Sequence, residues 1–125
     1  MNRISGGLGL VALMMATSSS EAGNMVSWSA HVGDVAVTLP PGLFDSRPLP
    51  TKGARWHCVA DKVLRQDAGG NTFSTLTVRC DDGETTVSAA ASCAIGAHDR
   101  NQLSFELLEK SSLKNTIRAE CSDGF

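Results

Sequence analysis

The chain has 125 residues and a formal net charge of −2, with 11 basic and 13 acidic side chains and 42% hydrophobic residues. That length fits one domain behind a short leader. The mixed, slightly acidic charge lacks the basic stripe that nucleic-acid binding needs, so a nucleic-acid partner is not expected.

The first 22 residues read as a signal peptide. Arg3 gives a positive start, and Leu8 and Leu10 to Ala16 form a short apolar run. A bilayer span needs about 20 apolar residues, so an uncleaved anchor is the weaker reading. Small residues follow, and cleavage after Ala22 leaves Ser20 and Ala22 at the recognition positions; cleavage after Ser18 is the alternative. No second apolar run occurs, so no membrane span is expected after cleavage. The expected location is secreted or periplasmic.

The rest, residues 23–125, reads as a single β domain of about 100 residues, a size at which the core alone stabilises marginally. Four cysteines, Cys58, Cys80, Cys93 and Cys121, lie in it. An even count in a small exported domain reads as a disulfide framework. Their wide gaps do not fit the close pairs of a zinc site, so neither metal nor cofactor is expected.

Period-two alternation dominates and helical periodicity is nearly absent. Val26, Trp28, Ala30 and Val32 alternate with polar residues, Gly33-Asp34 interrupts, and Val35, Val37 and Leu39 resume. Equal flanks favour a two-residue hairpin over a bulge. Residues 40–53 hold all four prolines of the chain and read as a long loop. Five strands follow, over about Arg55–Arg65, Thr72–Cys80, Thr85–Cys93, Gln102–Glu109 and Thr116–Ser122, joined by turns. The expected fold is an all-β antiparallel sandwich or partly open barrel of six to seven strands, rich in meander, with two disulfides.

Centring the turns predicts a register. Cys58 falls opposite Cys80, Ala60 opposite Val78, Val78 opposite Val87, Leu76 opposite Ala89, Phe105 opposite Ala119, and Leu107 opposite Ile117. One face then carries all four cysteines together with Trp56, Val78, Val87 and Phe105, the expected core. A one-residue slip would invert a strand, so agreement over five strands supports the phase. Lys62 and Ser74 are polar misfits on the apolar face; Val59, Val63, Phe73 and Leu108 are apolar misfits on the other. Cys93 and Cys121 flank Leu103 in this register, and they bond only if the sheet folds over. The preferred pairing is Cys58–Cys80 with Cys93–Cys121.

Chemistry is harder to find. His31, His57 and His98 have no nucleophile or metal motif around them, so no catalytic residue is assigned. Asp81-Asp82-Gly83-Glu84 reads as a turn; it lacks the ligand spread of a calcium loop. Glu106 and Glu120 share a face with Arg118, which suits a solvated ion-pair surface. The distinctive segment is 40–53. Leu43, Phe44 and Leu49 are apolar residues among prolines, with Arg47 and Lys52 beside them. A pre-ordered apolar loop binds a partner at low entropy cost, so these five residues are the candidate binding site. The leading expectation is a non-enzymatic binding domain with a protein partner, an enzyme inhibitor with Lys52-Gly53 as its target bond being one form. The alternatives are a structural or envelope-associated domain, in which the loop plugs the sandwich, and a small hydrolase.

Overall fold

The computed structural model describes residues 26–109 and 114–123. The expected signal peptide, residues 1–22, and the turn at 110–113 lie outside the described residues. Eight strands appear: β1 Val26–Val32, β2 Val35–Val37, β3 Phe44–Leu49, β4 His57–Gln66, β5 Thr72–Asp81, β6 Thr86–Ala94, β7 Arg100–Leu108 and β8 Lys114–Asp123. They form two antiparallel four-stranded sheets, β2-β1-β8-β7 and β3-β4-β5-β6, arranged as a sandwich.

The alternation explains the strands. Along β4, Cys58, Ala60 and Lys62 are buried while their neighbours are exposed or half-buried. Successive side chains leave a strand on opposite faces, so such a pattern buries one face only. The inner faces meet around Leu76, Val78 and Ile117, none more than 1% exposed. Burying side chains of this size stabilises by about 1.5–3 kcal/mol each. Trp56 joins this core, whereas Val87 and Phe105, expected inside it, are half-buried at its margin.

Gly33-Asp34 forms the two-residue hairpin turn, with Val32 paired to Val35. The Gly33 backbone is left-handed, φ 59°, which a residue without a Cβ adopts freely. Cys58 pairs with Cys80 and Ala60 with Val78, as the sequence predicts. Elsewhere the phase holds but the register moves by two residues. Val78 lies opposite Ala89, Leu76 opposite Ala91, Phe105 opposite Ile117, and Leu103 opposite Ala119. A two-residue shift returns each side chain to the same face, so the apolar pattern cannot distinguish the two registers.

Two expectations are corrected. β6 and β7, read as neighbours in one meander, lie in different sheets, and β8 pairs with β1 as well as β7. Cys93 and Cys121 therefore do not flank Leu103. They bridge the sheets, while Cys58–Cys80 joins adjacent strands of one sheet with Cα atoms 4.0 Å apart. The other correction concerns 40–53. Its middle is not loop but β3, an edge strand paired to β4 through an irregularity between Phe44 and Arg47. Pro48 is tolerated there because an edge strand leaves one row of amides outside the ladder.

Candidate functional site

The five candidate residues are spread along the β3 side. Leu43 is 45% exposed, and Leu49 is 8% exposed within the core. Phe44 is half-buried, and Arg47 and Lys52 are exposed. Strands advance about 3.3 Å per residue, so these side chains line an edge and do not gather into one patch.

Lys62 organises the start of that edge. It sits on the inner face, 6% exposed. Its Nζ donates to the Pro40 carbonyl at 3.2 Å and lies 5.2 Å from the Phe44 ring centre. Burial pushes its pKa down, because a desolvated ammonium loses hydration. Ser46 has a left-handed backbone, φ 49°, and its amide donates to Asp61 Oδ1 at 2.7 Å. That amide, followed by the Asp45 side chain, holds the Asp61 carboxyl below its ordinary pKa.

Beyond β3 the chain makes an exposed loop, Lys52 to Arg55, fastened at both ends. Thr51 Oγ1 donates to the Trp56 carbonyl at 2.9 Å. The Lys52 amide donates to Asn115 Oδ1 at 2.7 Å, and Asn115 Nδ2 donates back to the Lys52 carbonyl at 3.1 Å. Asn115 is 1% exposed, so this two-way bond is sheltered from water. The Arg55 amide donates to Glu109 Oε1 at 3.0 Å. The Arg55 guanidinium reaches Asp82 Oδ2 at 3.2 Å and the Leu108 carbonyl at 3.1 Å, and it stacks 5.5 Å from the Trp56 ring centre. Trp56 Nε1 donates to the same Leu108 carbonyl at 3.1 Å. Gly53 is left-handed, φ 79°, and a Cβ there would run into the Glu109 carboxylate.

This arrangement bears on the Lys52–Gly53 bond. A protease attacks a carbonyl that is free to enter its oxyanion hole. The Lys52 carbonyl instead accepts from buried Asn115. The loop presents its side chains, not that peptide bond.

An open cleft of about 910 Å³ lies beside the loop, lined by Arg55, His57, Asp82, Glu84 and Glu109 among others. Most of its acids have structural duties. Glu109 Oε1 accepts from the Arg55 amide, and Asp82 Oδ1 from the Glu84 and Thr85 amides. Those last two amides, with the Arg55 guanidinium behind them, keep the Asp82 carboxyl below its usual range. Glu109 Oε2 is buried without a hydrogen-bond partner among the described residues. His57 is exposed and makes no hydrogen bond to a carboxylate among the described residues. No group of three or more His, Cys, Asp or Glu there could hold a metal ion.

Glu106 pairs with Lys114 at 3.5 Å between two well-exposed side chains. The His98 amide donates to Asp123 Oδ2 at 3.1 Å. His31 lies opposite Arg118.

Sequence reading missed Asn115 and Glu109, placing one in a turn and the other at a strand end. A signal was present. Asn115 continues the inward phase of Ile117, Ala119 and Cys121, and Glu109 that of Leu103, Phe105 and Leu107. A polar residue in an inward phase is a buried hydrogen-bonding device awaiting its partner. Among the described residues no helix is long and apolar enough to cross a membrane. Comparison with known proteins finds no matching family model, curated protein or solved structure.

Proposed function

We infer that the protein is an exported, non-enzymatic binding domain that engages a protein partner outside the cytoplasm, along the β3 edge and the loop after it. Two disulfides suit an oxidising compartment, either the extracellular space or the periplasm. The observation that carries the reading is the fastening of an exposed loop by buried groups: Asn115 holds both backbone groups of Lys52, and Glu109 holds the Arg55 amide. A loop ordered before contact loses little entropy on binding, which favours recognition. Exposed Leu43, Arg47 and Lys52 supply an apolar contact and two cations along the same side.

A structural role is the second reading. It draws on Leu49 in the core and Phe44 under Lys62, which turn part of the apolar content inward. The test is a Leu43→Asp, Lys52→Glu double variant, covalently crosslinked in the native secretome beside the wild type. The binding reading expects a crosslinked protein with the wild type, its loss in the variant, and an unchanged melting temperature. The same crosslinks in both proteins would remove the β3 side as the site.

A further inference from the structure

Sheet edges expose unpaired amides and carbonyls, and proteins guard them with charge, proline, bulges or shortness. Three of the four edges here are guarded. β3 carries Asp45, Arg47, Pro48 and its irregularity. β2 has three residues. β7 carries Arg100 and Glu106. The fourth, β6, reads Thr-Val-Ser-Ala-Ala-Ala-Ser-Cys-Ala and contains no charge, no proline and no glycine.

The outward backbone groups of β6 can be identified. The Ile95 amide donates to Thr72 of β5, so odd-numbered residues turn their amides into the sheet. The Ala94 amide donates to Asp99, and the Ser92 carbonyl accepts from Asn101 Nδ2, so even-numbered residues turn outward. The last two even positions are thus capped. Thr86, Ser88 and Ala90 are exposed, and no hydrogen bond caps their outward backbone groups among the described residues.

We propose that this uncapped stretch of β6 pairs antiparallel with β6 of a second copy of the chain, on a two-fold axis through Ser88. Ser88 meets its own counterpart, and Thr86 meets Ala90 of the partner subunit. The three outward residues of each copy supply about six ladder hydrogen bonds. The self-complementarity of the strand selects this occupant. An isologous contact sets each residue against its symmetry mate or that mate's neighbours, so any charge near the axis repels itself. Here the axis residue is serine and its neighbours are alanine, valine and threonine. Half-buried Val87 and Ala89 lie opposite one another across the axis, and the pairing would continue the apolar layer they border. The charged residue directly across from the axis, Arg79, is paired to Ser88 from within the sheet. Two such arginines would stand three strand spacings apart, about 14 Å, beyond the screening length at physiological salt. A contact of this length is small for a stable interface, so the dimer is weak and forms in the micromolar to millimolar range.

The experiment uses the mature protein with both disulfides intact and a charge swap at the axis. Wild type should self-associate with rising concentration in sedimentation velocity. Ser88→Lys and Ser88→Glu each set like charges on one another and should weaken association by at least about tenfold. An equimolar mixture of the two should restore it as a heterodimer. Ser88 is exposed, so melting temperatures should match the wild type; Ala90→Lys is the second variant if either axis variant folds poorly, and it too should weaken association. A wild type that stays monomeric to millimolar concentration overturns the proposal. So do variants that associate like the wild type, or a mixture that stays monomeric.

Discussion

Trp28 Nε1 donates a hydrogen bond of 2.9 Å to Ser74 Oγ, joining β1 in one sheet to β5 in the other. Ser74 has no exposed surface, and it is the serine that breaks the apolar phase of its strand. Its hydroxyl satisfies an indole donor that would otherwise be buried without a partner. Ser74→Ala should therefore destabilise by about 1–3 kcal/mol, the cost of stranding a buried donor. Urea unfolding of the mature domain measures it. Unchanged stability would mean that the indole finds another acceptor.

Leu43 and Leu49, six residues apart, should respond oppositely to the same change. Leu43→Asp places charge in solvent and should shift stability within about 0.5 kcal/mol. Leu49→Asp places charge in the core and should destabilise by several kcal/mol or abolish folding. Thermal melts of the two variants side by side check the split. Equal effects would contradict the different burial of the two side chains.

Asn115 should govern the behaviour of the loop as well as global stability. Asn115→Ala removes both bonds to the Lys52 backbone and should destabilise by about 1–3 kcal/mol. It should also speed tryptic cleavage after Lys52 and Arg55 under native conditions, because local opening then needs less energy. Peptide mapping at short digestion times reads this directly. Cleavage no faster than in the wild type, despite lower stability, would assign the ordering of the loop to Glu109 and Thr51 instead.

Lys62 predicts a pH dependence with a definite sign. Its pKa in the folded protein lies below 10.5 because burial disfavours the ammonium. Between the folded value and 10.5 the unfolded chain binds more protons, so the contribution of Lys62 to stability rises with pH there. Below the folded value the desolvation penalty is present in full. In Lys62→Met the penalty is absent, so wild type should gain on the variant as pH climbs through that window. Paired denaturation curves at neutral and alkaline pH test this. A constant difference between the two proteins would show that the Lys62 pKa is not shifted.

The phase of nearly every strand was legible, because each inner face is marked by side chains such as Cys58, Val78, Ala91 and Ile117. The register was legible at the Gly33-Asp34 hairpin and at β4–β5. At β5–β6 the turn is closed by the Asp82 amide bonding the Thr85 carbonyl, which moves its centre by one residue and the pairing by two. Alternation is blind to that step. β3 was hidden because its segment holds all four prolines of the chain and read as loop chemistry, yet Pro48 is tolerated on an edge. The pairing of β8 with β1 was hidden for another reason. Its partners lie far apart in the chain, and nothing local in either strand names the other. Of the candidate site, the exposed cations Arg47 and Lys52 could be read directly. Asn115 and Glu109, which hold the loop, required knowing that their strands carry an inward phase to the very end.

The cysteine pairing has a consequence for how the protein is made. A chain is synthesised from its N-terminus, so its thiols appear in the order Cys58, Cys80, Cys93, Cys121, and the native partners are consecutive. The first thiol of each bridge, Cys58 and Cys93, has its partner as the next one to emerge. The first bridge closes within the β4–β5 hairpin before the other sheet is complete. The second awaits β8 and then fastens the finished layers together. Oxidation in order of appearance would yield this same pattern without thiol–disulfide exchange.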